Sequence, residues 1–101
     1  MIERDLRADH PAAQGHFPGD PIIPGAVLLN ETLQAIETGL GAPLAPFRIT
    51  SAKFLNPARP GDRLVIEFSR AAAGEIQFTS RVAGKTVLTG RMQCRAAATA
   101  G

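Results

Sequence analysis

Two periodicities divide this chain. Between Pro24 and Gly41, Ala26, Leu29, Leu33, Ile36 and Leu40 recur at alternating steps of three and four, the spacing of an amphipathic helix with one apolar stripe. Pro24 and Gly25 supply the start signal, and Gly39 and Gly41 the stop. At about 100° per residue, Asn30 lies roughly 80° from the centre of that stripe and Glu31 roughly 180° from it. Asn30 is therefore expected to border the core and Glu31 to face solvent.

From Phe47 onward the period drops to two. Phe47, Ile49 and Ser51 oppose Arg48, Thr50 and Ala52, after which the alternation shifts, so a bulge is expected before Phe54. Leu64, Ile66 and Phe68 alternate with polar positions, as do Ile76, Phe78, Ser80 and Val82. A turn over Arg70–Gly74 joins these two runs, and a tight turn at Gly84-Lys85 leads into a last strand over Thr86–Arg95. Leu88, Gly90, Met92 and Cys94 share one face of it. Upstream, Ile2 and Leu6 mark a short edge strand, and Asp9 to Gly15 reads as a loop because His10 precedes a proline. One helix followed by four strands in hairpin order predicts an α+β domain, the helix packed on an antiparallel sheet.

At 101 residues the chain is expected to form one domain over 1–101. A domain of this size buries only about 60 to 68% of its unfolded surface, so a core shared with a second subunit, a homodimer, is expected. Eleven basic residues against nine acidic give a net +2, without runs, and Trp and Tyr are absent. Neither the clustered charge nor the stacking platforms of a nucleic-acid-binding surface are present. No stretch is apolar enough to cross a bilayer or to serve as a signal. Cys94 stands alone, which fits a reducing cytoplasm and a buried apolar role. Two histidines and one cysteine at scattered positions lack metal-ligand spacing.

The most constrained stretch is His16-Phe17-Pro18-Gly19-Asp20-Pro21-Ile22-Ile23-Pro24-Gly25, in which three prolines fix φ immediately before the helix. The run from His16 to Asn30 resembles the active-site segment of the 3-hydroxyacyl-ACP dehydratases of fatty acid synthesis, members of the hotdog-fold superfamily. Phe54-Leu55-Asn56-Pro57-Ala58-Arg59-Pro60-Gly61-Asp62 is similar to a second motif of that family. The resemblance implies an antiparallel sheet wrapped around one long central helix, edge-to-edge pairing of two subunits, and composite sites in which His16 of one chain faces Asn30 of the other. A higher oligomer of dimers is compatible with it. It further implies an acyl thioester substrate carried on acyl carrier protein or coenzyme A, and no cofactor.

Dehydration of a 3-hydroxyacyl thioester needs a base for the α-proton, a stabiliser for charge on the thioester oxygen, and a group to receive the departing hydroxyl. His16 matches the family's catalytic histidine, and a neutral imidazole suits the first task. Gly25 matches the glycine whose amide faces the thioester carbonyl, where the helix N-terminus favours negative charge. Phe17, Ile23, Leu29 and Phe54 are candidates to line an acyl tunnel. The third role departs from the pattern, because the family carries Glu or Asp fourteen positions after the histidine and this chain carries Asn30. An amide donates and accepts hydrogen bonds but does not titrate. Four readings follow: a dehydratase in which Asn30 holds the hydroxyl or a water, a hotdog acyl thioesterase, a non-catalytic subunit that binds acyl chains or carrier protein, and an Asn30 that only satisfies local polar groups.

Overall fold

A computed structural model describes residues 2–7, 22–42, 44, 46–71 and 74–94. The elements run β1 (Ile2–Asp5), α1 (Gly25–Leu40), β2 (Phe47–Phe54), β3 (Arg63–Arg70), β4 (Glu75–Val82) and β5 (Lys85–Cys94). The loop expected over Asp9–Gly15, the turn from His16 to Pro21 and the tail beyond Cys94 lie outside the described residues, as do Ala72 and Ala73 of the Arg70–Gly74 turn.

The strands form one antiparallel sheet in the order β1-β3-β4-β5-β2. Only β3, β4 and β5 follow in hairpin order. The chain leaves α1 and crosses to the far edge, where Phe47 pairs with Cys94 and Phe54 with Leu88. Hairpin order for all four strands is thus corrected: the eight residues Leu55–Asp62 between β2 and β3 form a long connection, which carries β3 away from β2 to pair with β1 and β4. That connection is held by its own hydrogen bonds. Leu55 N donates to Val87 O at 3.0 Å, Asn56 Nδ2 to Thr86 O at 2.8 Å, and Arg59 N to Asp62 Oδ2 at 2.8 Å.

Alternation sets the two faces of the sheet. Leu64, Ile66, Ile76, Phe78, Leu88, Met92 and Cys94 are buried on the helix side with Leu28, Ala35 and Ile36 of α1. Two irregularities tune the register. Thr50 is the extra residue between the pairs Ile49↔Met92 and Ser51↔Arg91, so the expected bulge comes earlier and turns Ser51 outward and Ala52 inward. Val87 is the extra residue where Ser80↔Leu88 gives way to Arg81↔Thr86, and both Val87 and Leu88 are buried. The hairpin turn sits at Ala83-Gly84, both with positive φ (50° and 81°), the two-residue geometry that matches strand twist.

The helix ends at Gly41, which adopts φ 70° and donates its N–H to Glu37 O at 2.9 Å. Gly39, expected as a stop, lies inside the helix. A Cβ there would come within 2.5 Å of Ile2 Cδ1, so it marks the close approach of β1 to α1. Gly90 marks a tighter one, since a Cβ there would lie 2.6 Å from the Ser51 carbonyl oxygen and 2.7 Å from the Phe78 ring.

These two glycines predict contrasting variants. Gly90→Ala meets a backbone atom and a core ring, and is expected to lower unfolding free energy by about 3 kcal/mol, the upper range for overpacking. Gly39→Ala meets only the far end of a flexible side chain, and its cost in a urea titration is expected to stay below about 1 kcal/mol, offset by the helix propensity gained.

Candidate functional site

The site is built around the start of α1. Pro24 precedes the first turn with φ −58° and ψ 147°, and its carbonyl accepts from Leu28 N at 2.9 Å. The N–H groups of Gly25, Ala26 and Val27 therefore have no helical acceptor. Pro24 makes no side-chain capping bond, and no acidic residue lies in the first turn. A compact anionic centre placed there would meet amides without intrahelical acceptors and the positive end of the helix dipole.

The two sequence motifs meet at this point. Ile23 N donates to Ala58 O at 2.8 Å, which ties the segment entering α1 to the connection leaving β2. That connection is in turn tied to the first strand region, since Leu6 N donates to Asp62 O and Gly61 N to Leu6 O, both at 2.8 Å. Phe54, at the end of β2, lays its ring edge 3.2 Å from the position a Gly25 Cβ would occupy. A side chain at position 25 would crowd that ring. The ring remains half open to solvent, at 49% exposure.

Of the residues singled out in the sequence, Gly25 and Phe54 are adjacent. Ile23 is sealed in the core at 3% exposure, Leu29 is half-buried on the flank of α1, and Asn30 is exposed. His16 and Phe17 lie outside the described residues. The rotational phase of α1 corrects the expectation for Asn30 and Glu31. The face against the sheet is Leu28, Thr32, Ala35 and Ile36, whose centre lies about 175° from Asn30 and about 85° from Glu31. Ala26 is exposed, and Leu29, Leu33 and Leu40 are only half-buried. Thr32 causes the shift. Its hydroxyl meets that of Ser80 at 2.9 Å, with both residues fully buried, so a polar residue occupies the centre of the packed face.

Glu31 consequently borders the sheet, where Arg4 Nε donates to its Oε1 at 2.5 Å. Arg4 also donates from Nη2 to Gln34 Oε1 at 2.8 Å. Sequence reasoning missed Arg4, Gln34, Thr32 and Ser80. Their partners are distant in sequence or polar on an apolar face, and no local pattern announces either. A hollow of about 820 Å3 lies on the opposite side of the sheet, lined by outward residues such as Ser51, Gln77, Thr79, Thr89 and Arg91, with no residue of α1. It is separate from the helix start. Cys94 is buried and its thiol is pushed up by desolvation, in keeping with an inert core residue. Among the described residues no three His, Cys, Asp or Glu side chains are grouped to hold a metal, and no helix is long and apolar enough to cross a membrane.

The family model for ApeI-like proteins, described as ApeI dehydratase, matches residues 1–91. The 3-hydroxyacyl-[acyl-carrier-protein] dehydratase FabZ of Yersinia enterocolitica is 35% identical over 106 aligned positions, which cover 90% of this chain and 62% of the relative. This chain thus spans a little under two thirds of the length of the curated relatives it matches. Among solved structures, the dehydratase heterocomplex ApeI:P from Xenorhabdus doucetiae superposes with a TM-score of 0.73 at 22% identity, covering 93% of this chain and 85% of that one. A 1,4-dihydroxy-2-naphthoyl-CoA thioesterase from Synechocystis gives 0.64 at 17% identity, covering 89% and 75%. Both likenesses bear on the fold, which is the hotdog arrangement of a helix on an antiparallel sheet.

The buried hydroxyl pair that sets the phase of α1 gives a measurable signature. Thr32→Val leaves Ser80 without its partner and is expected to cost about 1 to 3 kcal/mol, whereas Thr32→Val with Ser80→Ala removes both groups and is expected to recover most of that loss. Chemical denaturation of the single and double variants reads the coupling directly.

Proposed function

Since the chain belongs to the ApeI-like dehydratase family, we propose that it interconverts 3-hydroxyacyl and 2-enoyl thioesters, with the acyl group carried on acyl carrier protein or coenzyme A. The observation that carries this reading is the start of α1 at Gly25, whose first N–H groups have no intrahelical acceptor, with Phe54 against it and the His16 motif leading into it in sequence.

In the forward direction the His16 imidazole takes the proton from C2 of the substrate. Negative charge that builds on the thioester oxygen is met by the Gly25 N–H and the dipole of α1. The C3–O bond then breaks, and the imidazolium returns its proton to the departing hydroxyl, which leaves as water. Asn30 supplies no proton. Its amide holds the hydroxyl, or the water in the reverse direction, by donating and accepting hydrogen bonds. A single base that both takes and returns the proton keeps this scheme balanced without a carboxylic acid.

The working assembly in this reading is a homodimer with composite sites, in a reducing cytoplasm. β2 supports the pairing because it is an edge strand with Phe47 and Phe54, and Leu55 just after it, exposed at 40%, 49% and 54%, apolar surface of the kind that edges normally hide. Asn30 supports it too, since it projects away from its own sheet and needs an opposing surface to complete a site. A second reading is favoured by the amide itself. With no carboxylate at position 30 and Glu31 engaged by Arg4, the chain would bind acyl groups or carrier protein beside an active partner.

Following enoyl thioester absorbance with purified protein separates these readings. Wild type is expected to turn over 3-hydroxyacyl and 2-enoyl thioesters, and His16→Ala to lose about 10²- to 10⁴-fold, the span of general-base catalysis. A silent wild type that gains activity as Asn30→Glu would replace the enzyme by the binding subunit. The role of Gly25 is tested by Gly25→Pro, which deletes the N–H at a helix position that accepts proline and is expected to cost about 10²- to 10³-fold in kcat. Gly25→Ala keeps the N–H and only crowds Phe54, so equal losses in the two variants would remove the amide from the mechanism.

A further inference from the structure

Asn30 and Glu31 are neighbours in sequence, one an amide and the other a carboxylate, and they differ by about 100° around α1. Which of them is presented away from the sheet depends on the rotational setting of the helix. Besides the Thr32–Ser80 bond in the core, β1 contributes contacts to α1 from the flank. Ile2 packs against Gly39, and Arg4 reaches both Glu31 at 2.5 Å and Gln34 at 2.8 Å. Ile2 and Arg4 are two apart on a strand and so point the same way. Glu31 and Gln34 are three apart and lie on one ridge of the helix, about 12 Å along the axis from Gly39 at the Glu31 end. β1 therefore grips α1 at two heights, apolar near its end and charged near its middle. The charged grip is partly buried, with the Arg4 and Glu31 side chains 32% and 17% exposed, which raises it above an exposed surface pair.

We infer that Arg4 is a positioning residue: by holding Glu31 and Gln34 against β1 it keeps the carboxylate on the sheet side and leaves Asn30 as the side chain offered to the reacting groups. This rests on the proposed role of Asn30. It assigns a function to a residue that lies outside both sequence motifs. The guanidinium makes two hydrogen bonds to one ridge of α1, and so refines from the flank a setting whose overall phase the buried Thr32–Ser80 pair establishes.

The test compares Arg4→Gln, Arg4→Lys and Glu31→Gln with Ile2→Ala, which loosens the other grip of β1 on α1 without touching the clasp. Arg4→Gln is expected to lower kcat by about tenfold to a hundredfold, the cost of misplacing a catalytic group by about an ångström, with KM unchanged within about twofold. Arg4→Lys restores part of the loss, and Glu31→Gln falls between the two. Ile2→Ala lowers stability and leaves kcat near that of wild type. A kcat that stays at the wild-type value in Arg4→Gln, or that falls equally in Ile2→Ala, overturns the inference. The Asn30 side-chain amide provides a readout independent of turnover. In 15N-labelled protein its signal is expected to shift or broaden in Arg4→Gln and Glu31→Gln but not in Ile2→Ala. If wild type shows no turnover, the functional reading fails by itself, and this signal still decides whether Arg4 sets Asn30: an unmoved resonance in the Arg4 and Glu31 variants rejects it.

Discussion

Everything near the candidate site depends on how one sixteen-residue helix is seated on the sheet. Its packed face is narrow, with Leu28, Ala35 and Ile36 around the Thr32–Ser80 hydroxyl pair. A helix held only by aliphatic contacts could roll by a fraction of a turn at modest cost, because dispersion and burial are nearly indifferent to direction. A hydrogen bond in the dry interior is not indifferent, since either hydroxyl left alone carries a desolvation penalty. The polar pair is thus the directional element in an otherwise non-directional contact. It sets the overall phase of α1, to which the Arg4 bonds to Glu31 and Gln34 are added on the flank.

Much of the architecture could be read from the chain. The helix over Gly25–Leu40 and the strands from Phe47 to Cys94 emerge from spacing alone, and the bulge in β2 follows from a break in alternation. Two features were not legible, for physical reasons. The first is the phase of α1. Counting apolar residues places Leu29, Leu33 and Leu40 at the centre of the buried stripe, whereas a threonine with a hidden partner on β4 draws the centre toward Leu28 and Ala35. The second is strand order. Period-two patterns identify strands but not neighbours, and the connection after Phe54 is closed by backbone bonds from Ile23 to Ala58 and from Leu6 to Asp62 that no alternation encodes.

The candidate site was legible as a motif rather than as geometry. Proline and glycine before the helix mark its start, and the structure adds that Pro24 itself makes no side-chain capping bond. The relation of Gly25 to Phe54 was not visible in the sequence, because the two residues come from different elements and meet only through the crossing of β2 to the far edge. Asn30 is the informative exception. Local chemistry at that position departs from the motif around it, while the helix that carries it is ordinary.

The order of the strands also divides the molecule into local and long-range pairings. β3, β4 and β5 are joined by short reversals and can pair as a local meander, whereas β1 must wait for β3, and β2 for β5, across long intervening chain. Loop closure of that kind is slow and weakly rewarded until the interior is assembled. The long-range pairings are those that place β1 against one side of α1 and carry Phe54 to its start. A native molecule that opens locally gives up its late-forming, lightly buried edges first. The helix start would then lose its surroundings well before the central meander exchanges its amide hydrogens with solvent.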